Sequence, residues 1–318
     1  MISLLLAVLI RIKFISVPLL ALCLWVIASV STFAQQDPHY TQYRYNLSVV
    51  NPAYAGSQGL LSANLLYRNQ WSGLEGAPET YTFSAHSPFG EESGLGLSAI
   101  RDRLGPVQET NVYADYSYTL QLGRDQYLAL GLKAGATFHD VGLTELEVVD
   151  PLDPFFSQDI SKVYPNFGIG AYYFTDNYFI SLSVPNLLTS VHLDENGLRY
   201  GNERNHMFIA GGYLFVISDD LSLRPSAMLK GTFRSPWTFD LNFNVLIVNT
   251  VEGGVSYRLN DSFSGLVGIW VSDVMRIGYA YDAVVSPISN VGGASHEIIL
   301  TFDIVFGDGG RVIPPRFL

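Results

Sequence analysis

From residue 60 to residue 306 apolar and polar side chains alternate with a period of two, the spacing of a β-strand rather than a helix. Over 238–248, Phe239, Leu241, Phe243, Val245 and Ile247 share one face while Asp240, Asn242 and Asn244 share the other. Leu128, Leu130, Leu132, Ala134, Ala136 and Phe138 alternate in the same way with Lys133, Thr137 and His139. So do Val112, Ala114, Tyr116, Tyr118 and Leu120 with Asn111, Asp115, Ser117 and Thr119. Near the C-terminus His296, Ile298, Leu300, Phe302, Ile304 and Phe306 alternate with Glu297, Thr301 and Asp303. Fourteen runs can be marked: 60–68, 79–87, 93–102, 107–120, 126–139, 164–175, 178–187, 204–215, 221–234, 238–248, 251–258, 262–271, 275–283 and 295–306. Many reach about ten residues, against roughly five to six in soluble proteins, and about ten alternating residues are what a tilted strand needs to cross a bilayer.

An even number of crossings returns both chain ends to one side, and closing the first strand on the last removes edges that lipid cannot solvate. The connections 88–92, 121–125, 176–177, 216–220, 249–250 and 272–274 are short, several of them Asp/Asn/Ser turns of hairpin type. Interleaved with them are the long stretches 69–78, 140–163, 188–203 and 284–294. Short turns on one rim and longer loops on the other are the asymmetry of an outer-membrane barrel. The expected fold class is therefore all-β, a transmembrane antiparallel β-barrel of about 14 strands. A soluble multi-strand sandwich is the alternative, and it explains neither the strand lengths nor the loop asymmetry.

The first 34 residues follow another pattern. Arg11 and Lys13 are their only charges, an apolar run fills 14–30, and Thr32 and Ala34 stand at positions −3 and −1 of a cleavage site before Gln35. That is a secretory leader. The run approaches the ~20 residues of a spanning helix, so an uncleaved anchor is the alternative. Cys23 follows Leu22, which is bulky where lipoprotein processing needs a small residue. The expected organisation is a leader at 1–34, a segment at 35–59 that does not alternate, a barrel at 60–306 and a periplasmic tail at 307–318.

Composition agrees with an exported protein partly dissolved in lipid. The chain is 48% hydrophobic and only 15% charged, where a soluble domain carries roughly 25% charge. Its net charge of −11 becomes −13 when the two bases of the leader are lost, which argues against nucleic acid as a partner. A single cysteine argues against a disulfide-stapled module, and 13% aromatic residues against disorder.

Little in the chain points to catalysis or a cofactor. His39, His86, His139, His192, His206 and His296 are not paired at metal-ligand spacing. His296-Glu297 begins like a zinc-protease helix, but Leu300 stands where the second histidine would be and the setting is a strand. Ser84 and His86 share one strand face, a coincidence that many serines make cheap. Glu145, Glu147, Asp150, Asp153 and Asp159 form an acidic loop without the alternating ligand pattern of a calcium site, so a solvated loop is expected. Asp115, Asp240 and Asp303 fall on the inward face, where they would bias an open pore toward cations. Gly94, Gly96, Gly168 and Gly170 also fall inward, and glycine in a strand marks close backbone approach. They leave room for a plug. The tyrosine-, asparagine- and proline-containing segment 35–59 is that plug or, alternatively, a flexible periplasmic arm.

The same segment carries a resemblance. Gln36-Asp37-Pro38, Gln42-Tyr43 and Asn51-Pro52-Ala53-Tyr54-Ala55-Gly56-Ser57 are similar to the opening of the PorP/SprF family of type IX secretion system outer-membrane proteins. The likeness continues through Arg68-Asn69-Gln70-Trp71, Asp102-Arg103-Leu104-Gly105-Pro106, Asp115-Tyr116-Ser117-Tyr118, Tyr281-Asp282 and Ser295-His296-Glu297. Leu47-Ser48 departs from it, since the family often has proline after the asparagine. The resemblance implies a non-enzymatic outer-membrane barrel of Bacteroidota-type bacteria serving secretion, attachment or gliding. Its partners would be membrane lipid, a large adhesin-like cargo held through a C-terminal sorting domain, and periplasmic ring or lipoprotein components of the secretion machine. From the residues alone, a solute channel and a lipid hydrolase stay open as alternatives.

Overall fold

The computed structural model describes residues 40–305 apart from 145, 147–156, 189–190, 196–197, 203–204 and 233–236. The expected leader, Asp37, Pro38, most of the acidic loop and the expected tail lie outside the described residues. Among the described residues seventeen strands follow one another: β1 (Leu61–Asn69), β2 (Glu79–Phe89), β3 (Ser93–Leu104), β4 (Val107–Gly123), β5 (Gln126–Val141), β6 (Ile160–Thr175), β7 (Tyr178–Val184), β8 (Val191–Glu195), β9 (Leu198–Asn202), β10 (Met207–Tyr213), β11 (Phe215–Ser218), β12 (Leu221–Gly231), β13 (Thr238–Ile247), β14 (Val251–Arg258), β15 (Ser262–Ser272), β16 (Met275–Val284) and β17 (Ser295–Ile304). β8 and β9 form a separate hairpin, and β10 and β11 are two halves of one crossing. The rest pair antiparallel with their neighbours. β1 then pairs with β17 from Leu61↔Ile304 to Asn69↔His296, closing a 14-strand barrel.

The period-two pattern sorts the side chains as expected. Leu132 and Val255 on the outer face are each 62% exposed, whereas inward Ser84, Ser117 and Thr137 are fully buried. Several boundaries differ from the expectation. β6 begins at Ile160 rather than 164, and β7 stops at Val184 rather than 187. The run expected at 204–215 is displaced to 207–218, with a break at Leu214. The β10–β12 pairing ends at Gly212↔Ser226, next to Pro225, which has no N–H to give the ladder, and resumes at Phe215↔Leu223. Leu214 donates to the Asn177 carbonyl at 2.8 Å, one step beyond the Tyr213↔Tyr178 pair with β7. The stretch expected as a plain loop at 188–203 contains the β8–β9 hairpin.

Connections 90–92, 124–125, 176–177, 219–220, 248–250 and 273–274 lie on the rim that carries both barrel ends, hereafter the turn rim. The opposite loop rim carries 70–78, 142–159, 185–206 and 285–294, with shorter links between. Two of its loops are stitched together: Ser72 donates to the Ala294 carbonyl at 2.9 Å, and Gly293 donates to the Ser72 carbonyl at 2.9 Å.

The inward face is less polar than alternation alone implies. Tyr127, Ala129, Tyr172, Phe174, Phe179, Phe208 and Ile299 are inward, buried and apolar. They pack with Leu47, Val49, Val50 and Tyr54 of the chain preceding β1, so the hydrophobic core of this barrel lies in its lumen.

Candidate functional site

Residues 40–58 are buried almost throughout and touch inward side chains on strands all around the ring. They fold into a 3-10 turn (Tyr43–Asn46), one turn of α-helix (Leu47–Val50) and a second 3-10 turn (Pro52–Tyr54). Asn51-Pro52 explains the last of these. The Asn51 side chain caps by accepting from the Ala53 N–H at 2.9 Å, and Pro52 occupies the first position, where its missing N–H costs nothing. The segment runs from the loop side to the turn side. Tyr40 lies against Thr82 and Arg258, near the loop ends of β2 and β14, whereas Gln58 shares a small cavity with Ser62 and Asp303 near the turn ends of β1 and β17.

Two charged clusters and a glycine bed hold it. At the loop end the buried Glu297 carboxylate accepts the Thr41 and Gln42 N–H groups at 2.9 and 2.8 Å. Arg68 bridges Glu297 at 3.2 Å and Asp282 at 2.7 Å, and the Thr41 hydroxyl donates to Asp282 at 2.9 Å. Arg258 pairs with Asp240 at 2.9 Å and donates to the Tyr40 carbonyl. Near the turn ends of β14 and β16 Glu252 pairs with Arg44 at 2.6 Å and with Arg276 at 2.9 Å, and it accepts from the Tyr45 hydroxyl. The Arg276 guanidinium stacks 3.5 Å from the centre of the Tyr45 ring. On the other wall, a side chain at Gly94 would strike the Ala55 carbonyl, at Gly131 the Ala53 backbone, and at Gly170 the Asn51 amide. A side chain at Gly96 would press first on Asp115 and only touch Ala55, while one at Gly168 would strike the Pro185 backbone instead.

The residues singled out in the sequence thus divide. Gln42, Tyr43, Asn51, Pro52, Ala53, Tyr54 and Gly56 belong to the segment, and Arg68, Asp282 and Glu297 are its anchors; all ten meet in the lumen. Asn69, Gln70 and Trp71 shape the start of the first loop: Gln70 donates to the Pro78 carbonyl, and Trp71 takes a positive φ of 52°. Asp102 accepts from Thr80 at 2.5 Å, and Gly105, with φ of 55°, makes the tight link to β4. Tyr281 and His296 face outward, where His296 lies 2.8 Å from the Tyr279 hydroxyl. Ser84 and His86 serve the segment: Ser84 meets Ser48 at 3.2 Å, and the His86 ring nitrogen accepts from the Gly56 N–H. Asp115 and Asp240 are paired with Lys133 and Arg258 rather than bare. Asp159 accepts both the N–H and the hydroxyl of Thr144, which hold its carboxyl below the usual range. Among the described residues no group of three or more His, Cys, Asp or Glu could hold a metal ion.

Sequence reasoning passed over Arg44, Arg224, Glu252, Arg258 and Arg276. One signal was available: each of the four strand residues is a charge on the inward phase of a crossing, where an opposite charge must meet it. Which partner it meets depends on register across strands far apart in the chain.

The fold has solved relatives. The barrel is similar to the CymD monoaromatic hydrocarbon channel, with TM-score 0.52 and 11% identity over 82% of this chain and 98% of that one. Similarity extends to the Ralstonia pickettii toluene transporter TbuX, at TM-score 0.48 and 12% identity over 81% and 92%, and to the Acinetobacter baumannii outer membrane protein Omp33, at 0.47 and 7% over 77% and 98%. At 11% identity the likeness to CymD speaks to the fold alone. No curated protein matches in sequence. The family model for type IX secretion system membrane protein PorP/SprF, in contrast, matches residues 32–302. The chain belongs to the PorP/SprF family, as a β-barrel of the bacterial outer membrane.

Proposed function

We propose that this barrel is non-enzymatic and serves type IX secretion as a holder, retaining a large adhesin-like cargo at the cell surface through the cargo's C-terminal domain. The observation that carries the reading is the filled lumen: a barrel packed with its own segment from loop side to turn side leaves no passage for an exported polypeptide, so a role in secretion falls to its rims. The loop rim, where the long connections 142–159 and 185–206 begin and end, is the face for cargo. The turn rim, with its connections of two or three residues, is the face for periplasmic ring or lipoprotein components of the machine, and lipid surrounds the apolar band. Attachment or gliding would follow from the cargo. Deleting the gene and comparing surface, periplasmic and secreted proteins tests this. One or a few large proteins with a C-terminal sorting domain should leave the surface fraction, and tagged barrel should co-purify with them from cross-linked cells. An unchanged surface proteome would refute the holding role.

A further inference from the structure

We propose that the barrel contains a latent water-filled pore for hydrated ions and small polar solutes, shut by residues 40–58 and opened by release of their loop-side end. Ring size is the first ground. Eight strands make a barrel that its own side chains just fill, while 16 to 18 leave an aqueous channel. A ring of 14 is too wide to close by itself, and here the closing atoms belong to Tyr43, Leu47, Ala53 and Tyr54, each at most 4% exposed. The second ground is how the segment is fastened. At the turn side it is covalently continuous with β1 through Gly56 and Gly59, both at φ of 72°, a conformation that suits a pivot. At the loop side, among the described residues, its polar fastenings include the Thr41 and Gln42 N–H groups on Glu297, the Thr41 hydroxyl on Asp282 and the Tyr40 carbonyl on Arg258, beside the packing of buried Tyr40 and Tyr43, while Arg44 reaches Glu252 at the turn end of β14. The third ground is what stays behind. Arg68 with Asp282 and Glu297, Arg258 with Asp240, and Arg276 with Glu252 remain paired within the wall, so one side of the emptied lumen keeps a charged, wettable lining opposite the aromatic wall of Tyr127, Tyr172, Phe174 and Phe179.

The test changes only the segment and leaves the wall charges in place. Thr41→Val with Arg44→Ala, in the full-length protein purified from outer membranes, removes two of the fastenings. A second version adds Ser48→Cys and Ser84→Cys, whose hydroxyl oxygens lie 3.2 Å apart in the native protein, so that an oxidised pair pins the segment to β2. In planar bilayers with potassium chloride the native protein should be nearly silent, and the unfastened variant should show at least tenfold more open-channel current. Oxidation of the cysteine version should abolish that current and reductant should restore it. Heat-modifiable migration on gels confirms that each barrel is folded, and maleimide labelling of a lone Ser48→Cys reports release of the segment. Three results would overturn the proposal: native protein conducting as much as the variant, current indifferent to the disulfide, or a folded variant that stays silent whether or not Ser48→Cys is labelled.

Discussion

Gly131 shows how much a single residue decides in this wall. It sits on the inward phase of β5, between outward Leu130 and Leu132, and a Cβ there would strike the Ala53 backbone. Backbone cannot swing aside as the end of a flexible side chain can. Gly131→Val should therefore cost about 1–3 kcal/mol, the usual range for overpacking, read as a lower temperature for loss of the compact gel band. Ala129, two residues away on the same phase, already carries a Cβ at full burial, so the requirement for glycine is set by Ala53 and not by β5 itself. Gly94 and Gly170 were legible in the sequence as places of close approach because they fall on the inward phase of alternating strands. Gly168 has the same phase and pattern yet meets Pro185, which no local feature distinguishes.

Within elements, strand phase places charges in the lumen and pairing makes them tolerable. Glu252 on β14 is 2% exposed and answers Arg44 of the segment and Arg276 of β16. Glu252→Gln takes away the carboxylate that Arg44 and Arg276 share, and removing one partner of a buried pair costs about 3–5 kcal/mol. Replacing Arg44 by Gln as well relieves part of that, so the double variant should be more stable than the sum of the two singles predicts, with a coupling of at least ~1 kcal/mol in a double-mutant cycle of thermal or urea unfolding. Additive effects would mean that the segment is not bound through this pair. Of these residues only Arg44 adjoins a recognisable motif. β14 and β16 are joined to it by nothing in the linear order.

For the whole molecule, exposure of apolar residues is a statement about solvent. Leu132, Val255 and Val267 are each about 60% exposed, a liability in water and the normal state against acyl chains. Leu132→Arg should destabilise the folded barrel in a bilayer by about 2–4 kcal/mol if the site is at the membrane midplane, while Leu132→Phe should be near neutral. Unfolding by urea or guanidinium in lipid vesicles measures both. Equal stability of the two variants would remove β5 from the lipid-facing band. The same band explains the low charge content, since lipid-facing positions have no use for charge and the acids and bases gather in lumen, turns and loops.

Taken alone, the sequence determined the class of structure: period-two alternation, crossings of about ten residues and unequal connections allow one arrangement in lipid, because every backbone group must be paired and only a closed ring pairs them all. It also carried the family, whose motifs extend from the opening segment to β17. What only the tertiary structure decided is where those motifs meet. Arg68, Asp282 and Glu297 lie on three different strands, and Thr41 and Gln42 precede them all, yet ring closure between β1 and β17 brings them within hydrogen-bond reach. Alternation records which face a residue takes but not its height on the barrel. Height follows from register and tilt accumulated over 14 crossings, a sum that exists only once the ring has closed.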